Sequence, residues 1–301
     1  MAFGEVLASG KFIVTNEFLP PKGIDLDPLL DEAERLKGLV DAFTVTDNQS
    51  AMMKLDVLVA CHRLQDRGCP PILQLSCRDR NRMALQSALL GAAHLGITDV
   101  LCLTGDHIVL GDHHEALPVF DIDSVVLVGI ARKLETGRDW ADNDLEGPAP
   151  KFCVGAVATP GTPHVEPQIL KLEKKVRAGA EFVITQAIYD MAALERFMEA
   201  TAHLDVPIIA GICILKSEKN CQYFNKNIAG VTVPEAIIQR FAKCDSKEAR
   251  LECSIEVSAE LIQSIRKLCR GVHVMPLGWD RHVPAILEAA GIDRAEPVAA
   301  S

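Results

Sequence analysis

The feature that most constrains the fold is a repeated alternation of short apolar, β-rich runs with longer segments of helical periodicity. This alternation is typical of βα units that build a parallel sheet. The predicted strands are residues 12–18, 42–46, 71–76, 99–103, 152–157, 182–185, 206–212 and 271–275. Eight consecutive units predict an α/β fold, a single (β/α)8 TIM barrel that occupies residues 1–301 as one domain.

One connection is longer than a regular unit needs. Residues 234–269 have helical periodicity and lie after the helix that follows the seventh predicted strand. The eighth predicted strand begins only at residue 271. We therefore expect an extra helical segment before the last strand.

The charge balance limits the possible partners. The chain has 31 Lys and Arg against 41 Asp and Glu, a formal net charge of −10, and no basic cluster suited to nucleic acid or anionic membranes. Residues 1–12 contain Glu5 and lack a basic segment followed by an apolar run, and no apolar stretch approaches the roughly 20 residues of a spanning helix. We expect a cytoplasmic protein that binds neither nucleic acid nor a membrane.

The cysteines predict thiols rather than disulfides or metal ligands. The chain contains 10 Cys, with no C-x-x-C pair, and several lie in apolar runs where Cys acts as a small core residue. We therefore expect free thiols and no resident metal. Asp112, His113 and His114, with His107 nearby, form an alternative metal site, although a polar loop explains them more simply.

Polar residues at the ends of the predicted strands are the candidates for chemistry, because active sites of such barrels lie at the carboxyl ends of the strands. These residues are Glu17, Asp47, Ser76, Asp106, Thr159 and Gln186. The set contains no lysine, which disfavours a Schiff-base aldolase. Asp47 and Asp106 lack a His or a third acid at matching spacing, which disfavours a divalent-metal site of the enolase type.

Glu17 has two interpretations. A carboxyl group buried at the mouth of a barrel tends to have a raised pKa, which suits a general acid at neutral pH. Alternatively, Glu17 only forms hydrogen bonds with the loop that contains Pro20 and Pro21. Its position alone does not decide between these roles.

Short motifs along the chain resemble the methylenetetrahydrofolate reductase family. Residues 16–22, Asn-Glu-Phe-Leu-Pro-Pro-Lys, are similar to the E-F-x-P-P segment of that family. Further matches follow in the family's order, at residues 44–46, 75–77, 103–106, 175–180, 184–186, 209–212 and 233–234. The resemblance extends over residues 12–292, which is nearly the whole chain.

The resemblance implies an FAD-dependent enzyme that reduces 5,10-methylenetetrahydrofolate to 5-methyltetrahydrofolate, a reaction of methionine biosynthesis. It implies that Glu17 is the general acid that helps open the methylene bridge, that Asp106 acts electrostatically near flavin and folate, and that Gln186 binds the folate ring. The residues at positions that resemble FAD contacts are Thr46, Asp47, Gln49, Gln74, Thr104, Gly105, Asp106, Phe120, Asp121, Gln168, Lys171 and Lys175.

Several positions depart from the common family pattern. Gln74, Thr104 and Val157 replace a frequent His, Arg and Tyr, and residues 214–219 contain no aromatic residue of the kind that usually stacks on substrate or nicotinamide. Residues 46–49 and 273–279 look more like the branch of anaerobic one-carbon metabolism. Either NAD(P)H or a partner redox subunit is therefore the expected electron donor, and we expect an oligomer.

Three alternatives remain open at this point. Lys175 suits a pyrophosphate oxygen, but it is also compatible with a solvated helix face. A pterin-binding methyltransferase barrel would present similar groups to a folate, although it would need a corrinoid or thiolate acceptor. The chain could also be a catalytically quiet electron-transfer subunit.

Overall fold

Eight parallel strands close into a barrel in the computed structural model, which describes residues 3–294. The strands are β1 (Ile13–Phe18), β2 (Ala42–Val45), β3 (Pro71–Ser76), β4 (Asp99–Leu103), β5 (Cys153–Ala158), β6 (Phe182–Ala187), β7 (Ile208–Cys213) and β8 (Gly271–Met275). The predicted (β/α)8 barrel is confirmed, and each strand lies within two residues of its predicted ends. Residues 1, 2 and 295–301 of the predicted domain lie outside the described residues.

Helices cover the outside of the barrel and follow the strands in order. They are α2 (Asp27–Leu36), α3 (Val57–Asp66), α4 (Arg82–His94), α5 (Ser124–Leu134), α6 (Glu166–Arg177), α7 (Met191–Thr201) and α11 (Val283–Ala289). The β7–β8 connection contains α8 (Glu218–Asn227), α9 (Glu235–Ala242) and α10 (Lys247–Ile265), which confirms the extra helical segment. No helix within residues 3–294 is long and apolar enough to cross a membrane.

Polar caps explain where several helices begin. The side chain of Asn81 accepts a hydrogen bond from the backbone of Ala84 at the start of α4. Asp123 and Asp190 make the same kind of contact at the starts of α5 and α7. Each cap pairs backbone N–H groups that the first helical turn leaves without partners. These caps therefore fix where the loops end and the helices begin.

The interior of the barrel has an apolar lower layer and a polar upper layer. The lower layer includes Ile13, Ala42, Ile72, Leu101, Phe182, Ile184 and Ile209. Side chains on a strand alternate between its two faces, so residues two or four positions further along point to the same interior. On β1 these are Thr15 and Glu17, and on β3 they are Gln74 and Ser76. The alternation thus brings polar side chains to the carboxyl ends of the strands.

A short helix, α1 (Phe3–Ala8), packs against the amino-terminal end of the barrel, and the sequence pattern does not predict it. Phe3 and Val6 are buried, and the ring of Phe3 contacts Phe182 edge-on at 5.1 Å between ring centres. A helix this short is too brief to show a 3.6-residue period. Its first turn is tied to β4, because Asp99 accepts a hydrogen bond from the backbone N–H of Phe3.

Asp99 makes the stability of this end depend on pH. Its side chain is 8% exposed, and burial raises its pKa from 3.8 to about 6. A carboxyl group whose pKa is higher in the folded chain weakens the fold as pH rises above the unfolded value. We expect Asp99→Asn to increase the free energy of unfolding by up to about 3 kcal/mol at pH 8, and by roughly half as much at pH 5. Denaturant titrations at both pH values measure this, and an equal effect at both would contradict it.

Candidate active site

A polar cavity of about 360 Å³ opens at the carboxyl ends of the strands. It brings together residues predicted from distant parts of the chain, namely Glu17, Asp47, Gln49, Gln74, Thr104, Gly105, Asp106, Gln168, Lys171, Lys175 and Gln186. Phe120 and Asp121 line a neighbouring cavity of about 650 Å³, and Thr104 borders both. Thr46 is buried at the end of β2 and lines neither cavity.

The carboxyl group of Glu17 is held by three side chains. It is 5% exposed, and its two oxygens accept hydrogen bonds from Gln49 Nε2 at 3.3 Å and Gln74 Nε2 at 3.2 Å. His273 Nε2 on β8 lies 3.5 Å from Glu17 Oε2, and His273 Nδ1 lies 2.9 Å from Thr15 Oγ1. These contacts fix the orientation of the carboxyl group at the wall of the cavity.

This arrangement bears on the two interpretations of Glu17. Within residues 3–294, the hydrogen bonds to its carboxyl group come from site residues, and none comes from the loop that contains Pro20 and Pro21. Glu17 also lines the cavity, so a ligand there can contact its side chain. A carboxyl group in such surroundings is placed to give a proton to a bound molecule or to take one from it.

The turn between β2 and α3 carries unusual backbone angles. Asn48, Ser50 and Ala51 have φ values of 48°, 56° and 58°, which are disfavoured for residues other than glycine. Such conformations cost roughly 1–2 kcal/mol per residue and persist only where surrounding contacts hold them. Gln49 lies inside this turn and reaches Glu17 from it. The strain is therefore located where the turn positions a site residue.

Asp47 anchors the beginning of the same turn. Its carboxylate is buried and accepts hydrogen bonds from the backbone N–H of Ser76 at 2.9 Å and from Arg80 Nη1 at 2.7 Å. Asp47 thus binds β2 to the end of β3. Both partners bind Oδ2 and fix the position of the carboxylate, so its main contribution in the described structure is to shape the wall of the cavity.

Asp106 lies at the rim, directly after a glycine that the geometry requires. Gly105 has φ 92°, and a Cβ atom there would lie 3.1 Å from Arg78 Cβ and 3.2 Å from Ser76 Cβ. The carboxylate of Asp106 is exposed and accepts a hydrogen bond from the backbone N–H of Ser50 at 3.1 Å. It therefore presents a negative charge at the rim of the cavity.

Two lysines of α6 supply positive charge inside the cavity. Lys175 is 4% exposed, and its Nζ donates to the carbonyl oxygen of Val157 at 2.6 Å. Burial, followed by the charge of Lys171, lowers the pKa of Lys175 to about 8. Within the described residues neither ammonium group forms an ion pair, and the interpretation of Lys175 as part of a solvated helix face is wrong. A buried cation without a counter-charge is unfavourable, so this pair suits an anionic ligand.

Gln186 contributes an amide from β6. The pairing of β6 with β7 is irregular between Ile184 and Ala187, and the Oε1 atom of Gln186 accepts a hydrogen bond from the backbone of Ala187 at 2.9 Å. Its Nε2 group has no partner within residues 3–294. A ligand in the cavity can therefore accept a hydrogen bond from it.

The neighbouring cavity is lined by two further predicted residues, Phe120 and Asp121. Phe120 has φ 38°, and its ring lies 6.2 Å from that of His107 at an angle of 25°. Asp121 is exposed, and hydrogen bonds from Arg82 lower its pKa to about 2. A ligand here would meet the Arg82–Asp121 ion pair rather than a free carboxylate.

Two ionisable residues of the cavity lining, His273 and Arg78, are missed by the sequence reasoning. His273 could have been found from strand alternation, because His273 and Met275 occupy alternate positions on β8 and both line the cavity. Arg78, just beyond the end of β3, also lines it and is fully buried. Nothing in the sequence indicates its burial, because a loop arginine is usually exposed.

The cysteines are free thiols, as predicted, and most of them are buried. Within the part of the chain that the structure describes, no three His, Cys, Asp or Glu side chains converge in a way that could hold a metal ion. Asp112, from the alternative metal site, instead pairs with Lys22 and with His113.

The fold and the site define a (β/α)8-barrel enzyme whose active-site face carries a buried carboxyl group and cations suited to an anionic ligand. The family model for methylenetetrahydrofolate reductase matches residues 2–291, and the chain belongs to that family. The family resemblance drawn from the motifs is thereby confirmed. As a member of this family the chain is an oxidoreductase.

Individual relatives are distant. The chain is 25% identical to methylenetetrahydrofolate reductase 2 of Schizosaccharomyces pombe, with 95% of this chain and 46% of that protein aligned. It therefore spans about half the length of that relative. It is 24% identical to 5,10-methylenetetrahydrofolate reductase of Escherichia coli, with 94% of this chain and 92% of that protein aligned.

The fold also recurs in solved structures. A Clostridium thermocellum protein that binds two copies of 5-methyl-5,6,7,8-tetrahydrofolic acid superposes with a TM-score of 0.61, at 16% identity, over 97% of this chain and 99% of that one. A 2,3-dimethylmalate lyase superposes with a TM-score of 0.55 at 11% identity, over 96% of this chain and 83% of that one. These similarities concern the fold alone, which serves many different reactions.

Proposed function

We propose that this protein reduces 5,10-methylenetetrahydrofolate to 5-methyltetrahydrofolate with FAD as its cofactor. The observation that carries the proposal is that one cavity of a chain of this family is lined by Glu17, Asp106, Gln186 and Lys175. These residues are a buried acid, a rim carboxylate, an amide with a free donor and a buried cation. Each is a group that the reaction or the cofactor can use.

The residues present fit FAD. The hydroxyl of Ser76 lines the cavity, is buried and has no hydrogen-bond partner within residues 3–294, so it is suited to a polar ring atom. Lys171 and Lys175 are suited to the pyrophosphate. The second cavity, reached past Thr104, offers a place for the adenosine end beside Phe120. When bound, FAD supplies the hydride that reduces the folate carbon.

The side chains of this protein have separate tasks in the proposed reaction. Glu17, oriented by Gln49 and Gln74, gives a proton to the folate nitrogen that is released when the methylene bridge opens. The carboxylate of Asp106 at the rim favours the positive charge that develops on the opened folate. The free Nε2 group of Gln186 holds the pterin ring in place.

The proposal predicts a flavin redox cycle in the isolated protein. We expect the protein to bind FAD in a ratio of about one to one, to lose its yellow absorbance on reduction with dithionite, and to regain it when 5,10-methylenetetrahydrofolate is added. Tetrahydrofolate, which lacks the methylene group, is the control and should leave the flavin reduced. The proposal is contradicted if the protein binds no FAD, or if 5,10-methylenetetrahydrofolate does not reoxidise its reduced flavin.

The electron donor is a separate part of the proposal. Reduction of the bound flavin by NADH or NADPH alone would identify a self-sufficient reductase, and reduction only by dithionite would favour a partner redox subunit. The pterin methyltransferase alternative is not favoured, because the family match is to a reductase. The oligomeric state and the role in methionine biosynthesis stay predictions.

A further inference from the structure

Arg78 is the largest fully buried side chain of the described structure, with 1% of its surface exposed. Arginine is almost never buried without partners, because an unpaired guanidinium loses its hydration. Arg78 follows β3 by two residues and does not extend into solvent from its loop. Its partners therefore indicate what its burial achieves.

The guanidinium joins three loops at the carboxyl ends of the strands. Its Nη2 group donates to the carbonyl oxygen of Asn48 at 3.0 Å, and its Nη1 group donates to the carbonyl oxygen of Asp106 at 3.3 Å. Nε and Nη2 also bind the carboxylate of Asp79 at 2.8 and 2.7 Å. The planar fork of an arginine can make these bonds at once, whereas the point charge of a lysine cannot.

The carbonyl of Asn48 belongs to the strained turn that carries Gln49. Asn48 is further fixed by its side chain, whose Nδ2 donates to Asp79 at 3.2 Å and whose Oδ1 accepts from the backbone of Lys54 at 2.8 Å. Burial alone would raise the pKa of Asp79, but the hydrogen bonds from Arg78 and Asn48 outweigh burial and hold it below its ordinary value. The pair is therefore a charged anchor beneath the turn.

The β2–α3 turn positions both carboxyl groups of the proposed reaction. Gln49 donates from it to Glu17, and the backbone N–H of Ser50 donates from it to Asp106. If the turn relaxed toward ordinary backbone angles, both contacts would be lost together.

We propose that Arg78 is a positioning residue, which holds the strained β2–α3 turn so that Gln49 reaches Glu17 and Ser50 reaches Asp106. The inference rests on the proposed function for the reaction that it serves. Arg78 acts through the turn, by geometry, and its own charge stays paired with Asp79.

The test is Arg78→Lys, which keeps the charge and removes the fork. We expect kcat for 5,10-methylenetetrahydrofolate to fall about 10- to 100-fold, because small displacements of reacting groups cost rates of this size. We expect KM and the dissociation constant of FAD to change less than about threefold. Amide hydrogen exchange of residues 48–52 should accelerate, since the turn is no longer held.

A double-mutant cycle separates positioning from general damage. When Gln49 is already alanine, Arg78→Lys should lower kcat by a smaller factor than it does in the wild type, because one of the two contacts that Arg78 supports is already absent. The matched control is Arg132→Lys. Arg132 donates to the carbonyl oxygens of Gly179 and Phe152 at 2.9 and 3.0 Å, away from the cavity. This control should lower the melting temperature and leave kcat within about twofold of the wild type.

Three results would overturn the proposal. They are an Arg78→Lys enzyme with wild-type kcat, an equal loss of kcat with and without Gln49, or unchanged exchange at residues 48–52. If the wild-type protein shows no turnover at all, the proposed function fails instead. The exchange comparison, which needs no activity, then still decides the role of Arg78.

Discussion

Replacing Glu17 by Gln is expected to lower the rate of 5,10-methylenetetrahydrofolate reduction by about 10²- to 10⁴-fold, which is the usual contribution of a general acid. The amide has nearly the same shape as the carboxyl group and can still accept the hydrogen bond from Gln49 or Gln74, but it has no acidic proton to give. Reduction of the bound flavin by dithionite should remain within about twofold of the wild-type rate. Stopped-flow absorbance of the flavin measures the two half-reactions separately.

The control for this prediction is Glu173→Gln, on the outer side of α6, where the carboxylate pairs with His203 at 3.0 Å. It should change neither half-reaction. If Glu17→Gln oxidised its flavin with the folate at the wild-type rate, Glu17 would not be the acid. Its hydrogen bonds to the two glutamines would then have only a structural role.

Replacing Lys175 by Met is expected to have opposite effects on cofactor binding and on stability. Burial lowers the pKa of Lys175 from 10.5 to about 8. The charge therefore destabilises the folded chain fully below about pH 8. This effect decreases between pH 8 and 10.5 and is absent above 10.5. Met fills the same space without a charge. We expect the free energy of unfolding of the FAD-free protein at pH 7 to rise by up to about 3 kcal/mol. The dissociation constant of FAD should rise about 100-fold, as expected for the loss of a buried charge pair.

The same pKa sets the pH dependence of the wild-type protein. Its affinity for FAD should be constant below about pH 8 and fall above it, because the free protein then loses the ammonium group. Lys175→Met should show no such fall. Lys174→Met, an exposed lysine one position earlier on α6, is the matched control and should resemble the wild type in both measurements. Fluorescence titration with FAD and denaturant unfolding of the FAD-free protein provide the data. Equal affinities of the two variants would contradict a pyrophosphate contact at Lys175.

The sequence was sufficient for the barrel because its physical signals are local. Each strand is a short apolar run, and each helix has its own period, so the eight units could be recognised one by one. The rule that strand ends converge then brought together most of the cavity. Glu17 at the end of β1 and Gln186 on β6 line the same cavity, although they are 169 positions apart in the chain.

The remainder depends on contacts that no local pattern contains. The local sequence does not distinguish Lys171, Lys174 and Lys175 from one another. Only packing against β5 distinguishes the buried Lys175 from the exposed Lys174. The pairing of Asp121 with Arg82 likewise needs the fold. The turn that carries Gln49 requires left-handed angles at residues that usually avoid them, so its shape follows from its surroundings rather than from its composition.

The pairing of β1 with β8 has a consequence for the order in which the protein matures. Thr15 and His273 face each other across this junction, 258 positions apart in the chain. A ribosome makes the acid long before it makes the imidazole beside it, because Glu17 precedes His273 by most of the barrel. The surroundings of Glu17 are therefore completed only when the last strand docks, and a prematurely terminated chain that lacks β8 carries the acid without the partner that bridges it to Thr15.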